Sequence, residues 1–252
     1  MIAAMPMYLW PANIAAHDRL WGLIRDGLRA RRIAAPDALD HAIGHMASWA
    51  RPDLTLSMIC NLPYRAQFRG KVTLIGAGDY ALDGVAPGYY HSVFVTRAGD
   101  PATSLADAAA YPMAINDPLS NSGWGVPQQY ALGQGLSLHA TLRTGAHRES
   151  LRAVVEGRAD LAALDGITWV NMCRWEPLAT QAKVIAHTHA TPGMTFVTAA
   201  GRDPAPYFAA ISDAIAGLSA DDRALLNLRG IIALPAAAYD IALPPLPANL
   251  PD

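Results

Sequence analysis

From Pro112 to Trp175, short apolar runs alternate with segments of helical period: PMAIN, then Ser122 to about Gly133, then LSLHATLRTG, HRESLRAVVEG, ADLAALD, and Gly166 to about Trp175. An apolar run of this length reads as a buried strand, and a helix-length crossover returns the chain to the same end of a sheet, so consecutive strands pair in parallel. The alternation therefore predicts an α/β fold.

The flanking segments fit the same class. A short apolar run to about Tyr8 reads as a strand, and in AAHDRLWGLIRDGLRARR the residues Leu20, Leu23, Ile24 and Leu28 recur at helical spacing. PDALDHAIGHMASWA reads as a second helix, and DLTLSMI, KVTLIGAGDY and GYYHSVFVTRAG as strands of one sheet. Towards the C-terminus, AKVIAHTHA and GMTFVTAAG read as strands, YFAAISDAIAGLS and ADDRALLNLRG as helices, and PPLPANLPD as an extended surface tail. At 252 residues the chain suits one large α/β domain or two lobes.

Composition excludes several function classes. A hydrophobic fraction of 52% against 16% charged residues describes a chain with a core. A formal net charge of −2 leaves no basic field for a nucleic acid. No uninterrupted apolar run reaches the roughly 18 residues that membrane insertion needs. Cys60 and Cys173 match no metal or redox spacing and read as ordinary buried thiols. His187 with His189, and His41 with His45, have ligand spacing but no third partner, so no metal is expected. No Walker loop, GxSxG elbow or helix-opening GxGxxG occurs, so no cofactor is expected either. Arg143, Arg148, Arg152 and Arg158, interleaved with Glu149 and Glu156, read as a solvated, ion-paired face.

One polar break stands out, the stretch NDPLSNSGW from Asn116 to Trp124. A helix beginning near Ser122 presents N–H groups without intrahelical partners and the positive end of its dipole, which hold an anion without any lysine. Ser120, Asn121 and Ser122 can add side-chain donors there, and Gly123 permits close approach to the backbone. The same residues are also good helix caps after an ordinary Asn-Asp-Pro turn, and the sequence leaves both readings open.

The phrases NDPLSNSGWG, TGAHRESLRAVVEGRADLAALDGITW and APGYYHSVFVTR together resemble the phosphate/phosphite/phosphonate family of ABC-transporter substrate-binding proteins, from about Met5 to Leu234. The resemblance implies a type 2 periplasmic-binding-protein fold: two α/β lobes joined by two crossover strands, with the ligand clamped in a cleft between them. Applied to this chain it assigns 1–94 and 192–252 to one lobe and 95–191 to the other. It further implies a small anionic ligand, an ABC permease as partner and a periplasmic address. The opening MIAAMPMYLWPAN, interrupted by Pro6, Trp10 and Pro11, does not read as an export signal, which keeps a cytoplasmic address and a sensing role open beside transport.

In the family a Ser-Thr-Ser run grips the oxyanion, and here its centre is Asn121. His147 matches a ligand-side histidine, with Thr144 a further donor at the same helix entrance. Asp165, at a strand end, corresponds to an acidic residue facing the ligand; read alone, it is equally a helix cap. Tyr8, Trp10 and Tyr80 follow strands of the first lobe and can wall a ligand or pack in the core. Of Tyr89 and Tyr90, strand alternation lets at most one face a ligand. An enzyme using His147 and Asp165 as an acid-base pair is the competing expectation.

Overall fold

In the computed structural model, which describes residues 1–248 and Leu250, the chain divides into two compact units. The first comprises Met1–Tyr89 and Pro192–Asp240; the second comprises Tyr90–Thr191 and the described residues from Ile241 on. No helix among the described residues is long and apolar enough to cross a membrane.

The first unit is built on a five-stranded sheet in the order Ile2–Ala3, Leu54–Ile59, Thr195–Ala199, Val72–Asp79, Gly230–Ile232. Ile2–Ala3 runs parallel to Leu54–Ile59, and the remaining neighbours are antiparallel. Helix Ile14–Ala30 buries Leu20, Trp21, Ile24 and Leu28, whereas Leu23 is 40% exposed. It packs on helix Ala205–Gly217 so closely that a Cβ on Gly27 would lie 3.3 Å from that of Ala210. Trp49, Phe68 and Val197 form a second apolar cluster, and the Trp49 indole donates to the Met58 carbonyl at 2.8 Å.

Three expectations for this unit need correction. The first strand ends at Ala3 rather than near Tyr8, because Pro6 has no N–H to donate and Tyr8 turns the backbone to φ 62°. The helix expected across residues 36–50 is reduced to His45–Trp49. There the Asp40 carboxylate accepts from the N–H groups of Ala42 and Ile43 at 2.9 and 3.0 Å, a local turn that competes with helix. The third expected strand, Ser92–Arg97, does not join Leu54–Ile59 and Val72–Asp79; it lies in the sheet of the second unit.

That second sheet has the order His139–Arg143, Pro112–Ile115, Leu161–Asp165, Ser92–Arg97, Ala182–His187. The predicted crossovers hold for its first three strands, which are mutually parallel through Pro112–Ile115. Ser92–Arg97 is antiparallel to both of its neighbours. Phe94, Met113, Trp124, Ala131 and Leu161 lie in one core cluster. Helix His147–Val155 buries Leu151, Ala153 and Val154, while the arginines around it pair with Glu176, Glu149 and Glu156 at the surface.

The tail, assigned to the first lobe in the sequence reading, is bonded to the second unit. The Trp124 indole donates to the Pro245 carbonyl at 2.9 Å, Gln129 donates to the Ala242 carbonyl, and Leu250 packs on the same core. Residues 249, 251 and 252 of the tail lie outside the described residues. Trp124→Phe removes one of these bonds and should cost about 1 kcal/mol. In native-state hydrogen exchange the amides of residues 241–248 should then exchange faster, with strand Leu161–Asp165 unchanged; unaltered tail exchange would show that Trp124 does not anchor it.

Candidate functional site

Three parallel strands, each followed by a helix, leave three helix entrances at one edge of the second sheet. Pro112–Ile115 leads through residues 116–120 into a tight turn of π type at Asn121–Gly125, which continues as helix Val126–Gly133. His139–Arg143 leads into helix His147–Val155, and Leu161–Asp165 into helix Gly166–Trp175. Backbone bonds lock the first two entrances together: Thr144 N–H donates to the Ile115 carbonyl and Gly145 N–H to that of Asn116, both at 2.9 Å. Ligand groups in open α/β sheets gather at such carboxyl-terminal edges.

Ser120 caps its turn, its Oγ accepting from Gly123 N–H at 3.0 Å. The same Oγ lies 3.4 Å from Ser122 Oγ, which is in turn 2.8 Å from His147 Nε2. Two buried hydroxyls and an imidazole therefore form one connected set of polar groups. Gly123 leaves room for the Asn116 side chain, whose Oδ1 would lie 1.9 Å from a Cβ at this position.

Asn121 does something different from what its place in the serine run suggests. Fully buried, it donates from Nδ2 to Tyr90 Oη at 2.7 Å and to Thr191 Oγ1 at 3.2 Å, which engages both amide hydrogens. The turn is thereby fastened to the first and last residues of the 90–191 segment, and the donor expected for an anion is occupied. Thr144 is likewise engaged locally, its Oγ1 lying 2.7 Å from Ser150 Oγ and 3.2 Å from the Ile115 carbonyl. Asp165 is 1% exposed and caps the next helix, Oδ1 accepting from Ile167 and Thr168 N–H at 2.9 Å each. Tyr90 is buried with Asn121 on its hydroxyl. Thr191, some seventy residues from Asn121 in sequence, carried no local signal that could have marked it.

Burial pushes the His147 imidazole down from its ordinary 6.5 to about 4, the Ala163 carbonyl opposing the shift. Among the described residues Nδ1 is buried with no hydrogen bond of normal geometry. The ring is therefore neutral near pH 7, able to donate or accept at Nε2. A serine–histidine contact is also two parts of a nucleophilic triad, but the third part, an orienting carboxylate on Nδ1, is missing. A pKa near 4 further makes His147 a poor acid-base partner at neutral pH.

In the first unit, the Tyr8 and Tyr80 rings meet edge to face, with centroids 4.8 Å apart. The Tyr80 hydroxyl points to Met58 Sδ at 3.8 Å. Gly78 makes room for the Tyr80 ring, which a Cβ would meet at 2.5 Å. Trp10 is buried, and its backbone N–H donates to Asn13 Oδ1 at 2.8 Å. These loops follow the Ile2–Ala3 and Val72–Asp79 strands, as expected from the sequence.

The remaining candidate ligands go elsewhere. His41 Nε2 pairs with Asp18 at 2.7 Å, His45 lies against Trp49, and His187 meets His91 edge to face. Among the described residues, no group of three or more His, Cys, Asp or Glu is placed to hold a metal ion. Cys60 is buried as expected, whereas Cys173 is exposed on the outer face of its helix.

A family model described as "ABC transporter, phosphonate, periplasmic substrate-binding protein" matches residues 53–240. No curated protein matches the chain. Among solved structures, a binding-protein component of an ABC phosphonate transporter from Pseudomonas aeruginosa is 18% identical with a TM-score of 0.70, over 95% of this chain and 82% of that one. PhnD1 from Prochlorococcus marinus, in complex with methylphosphonate, is 17% identical with a TM-score of 0.69, over 95% and 93%. XAC2383 from Xanthomonas citri, bound to ATP, is 16% identical with a TM-score of 0.64, over 89% and 90%. At these identities the likeness is one of fold, that of the periplasmic binding proteins.

The depressed His147 pKa makes stability pH-dependent. The folded protein binds fewer protons than the unfolded chain between about 4 and 6.5, so stability falls as pH drops through that window and levels off below it. Buried His17, also lowered chiefly by desolvation, acts in the same direction. His147→Gln should flatten the fall in melting temperature between pH 6.5 and 4; an unchanged slope would show that His147 titrates normally. Gly123→Ala should cost roughly 1–3 kcal/mol from overpacking against Asn116, read by urea denaturation.

Proposed function

We infer the function from a premise that the comparisons establish: this chain belongs to the family of ABC-transporter phosphonate periplasmic substrate-binding proteins. Proteins of this family bind a substrate for transport rather than transform it. We propose that the second unit takes the oxyanion end of a small phosphonate-like solute through Ser120, Ser122 and His147, at the turn opened by Gly123.

The observation that carries this reading is the unbroken contact from Ser120 Oγ through Ser122 Oγ to His147 Nε2 at the carboxyl-terminal edge of three parallel strands. These are neutral groups, with rotatable hydroxyl hydrogens and an imidazole that can turn its Nε2–H outward. Beside them runs a helix entrance whose dipole favours negative charge. An oxyanion exchanges the weak 3.4 Å serine contact for shorter charge-assisted bonds.

Asn121 supports the site by holding the turn to Tyr90 and Thr191, and Asp165 by fixing the next helix entrance. Within this reading the partner is an ABC permease that receives the solute, and the address is the periplasm of the family.

The test is thermal stabilisation by phosphate, phosphite, methylphosphonate and methanesulfonate. At a hundred times its dissociation constant a ligand should add about 2.7 kcal/mol. At least one of these anions should raise the melting temperature, and Ser120→Ala combined with Ser122→Ala should remove the rise while leaving the fold intact by circular dichroism. If no anion shifts melting at millimolar concentration, or if the double variant responds as the wild type does, the assignment of this site is wrong.

A further inference from the structure

The tail that docks on the second unit does so with a regular period. It is half-buried at Ile241, Pro244, Pro247 and Leu250, and the described residues between these are exposed. A contact at every third residue is the period of polyproline II, a left-handed helix with three residues per turn and no internal hydrogen bonds. Pro244, Pro245 and Pro247 favour that conformation, because each ring holds φ at about −65° and pushes the preceding residue towards the extended region.

The hydrogen bonds repeat the period. The Ala242 and Pro245 carbonyls, three residues apart, accept from Gln129 Nε2 and Trp124 Nε1. Three residues of polyproline II advance about 9 Å, and five residues of helix about 7.5 Å, a difference that side chains of this length absorb. The tail therefore runs antiparallel to helix Val126–Gly133, with Pro245 at the end where that helix is entered.

Trp124 belongs at the same time to the turn that carries the serines. Its N–H donates to the Ser120 carbonyl at 3.2 Å, that of Gly125 to the same carbonyl at 2.9 Å, and Ser120 Oγ accepts from Gly123 N–H at 3.0 Å. The indole is 2% exposed and packs in the core cluster, so it cannot shift without moving the backbone that holds Ser120.

We propose that residues 241–248 form a polyproline II strap and that Trp124, held by it, is a positioning residue for the anion site. With the strap docked, the turn keeps Ser120 and Ser122 at the separation an oxyanion meets. This inference rests on the oxyanion reading of those serines. The coupling is reciprocal: docking of the strap strengthens anion binding by the same factor as a bound anion strengthens docking.

Pro244→Gly combined with Pro247→Gly, made in the full chain, loosens the strap and leaves Trp124 and both serines in place. Without any anion, the amides of Gly123, Trp124 and Gly125 should exchange hydrogen about 3- to 10-fold faster in this variant, with strand Leu161–Asp165 unchanged. Gln129→Leu, which removes the other bond to the strap, should act in the same direction and guards against a misfolded double variant. Leu246→Ser, at a residue 69% exposed, should leave these amides within about twofold of the wild type. Calorimetric titration with phosphate and with methylphosphonate should show affinity about 3- to 10-fold weaker in the loosened variants. In the wild type, a saturating anion should slow exchange of the Trp124 indole N–H, a response that a merely structural tail would not give.

Unchanged exchange of the turn amides in the loosened variants overturns the strap. Faster exchange with unchanged anion affinity limits the tail to stability and overturns the positioning role of Trp124. Binding of neither anion by the wild type overturns the oxyanion reading, and the exchange of the turn amides then decides the strap by itself, so the two failures are told apart.

Discussion

Parallel pairing of Pro112–Ile115 with a strand on either side is the constraint on which the second unit depends. Parallel strands end at the same edge, so the residues following Ile115, Arg143 and Asp165 are brought together although they are distant in sequence. An antiparallel hairpin at any of these places would send one of the three helix entrances to the opposite edge. The two flanking strands obey the same geometry. Ser92–Arg97 is antiparallel to Leu161–Asp165, and therefore begins where that strand ends, with Ser92 opposite Asp165. Ala182–His187 is reversed again and ends at that edge. This is why Tyr90 and Thr191 both arrive within reach of the Asn121 amide.

The Asn121 bracket shows how a buried polar group gives up one role for another. A fully buried amide must have its hydrogens satisfied, and here the partners are a phenol and a threonine hydroxyl rather than a solute. A serine or threonine in that place has a shorter side chain and a single hydrogen, and cannot supply both bonds at once. The amide therefore fixes the turn to Tyr90 and Thr191. Gly123 completes the arrangement, since Asn116 occupies the volume that any side chain would need.

The electrostatics of the two units differ in kind. Around Ser120–Gly123 the donors are neutral: hydroxyls, backbone N–H groups and an imidazole that burial keeps uncharged at neutral pH. Such a set favours an anion through orientation and the helix dipole rather than through net charge. The first unit instead buries a guanidinium, that of Arg65, held by Asn61 at the end of a strand.

The alternation of apolar runs and helical segments was enough to identify an α/β chain, its parallel strands and the helix after each, because strand and helix periodicities are local properties. The serine run and Gly123 were legible for the same reason, as a helix start with an unusual number of donors. Local patterns could not determine which sheet received Ser92–Arg97, since a strand of that composition pairs equally well in either. Nor could they show that residues 36–44 would form turns around Asp40. The roles of Asn121, Thr144 and Asp165 depended on partners supplied by the fold: Tyr90 and Thr191 for the first, Ser150 for the second, and the Ile167 and Thr168 amides for the third. The Asn61–Arg65 pair carried no recognisable motif, because an arginine in a sequence does not announce whether it is solvated. The sequence by itself determined the order of elements and the edge at which their loops collect. Only the tertiary structure decided which polar groups on that edge are paired with one another, because that depends on contacts between residues far apart in the chain.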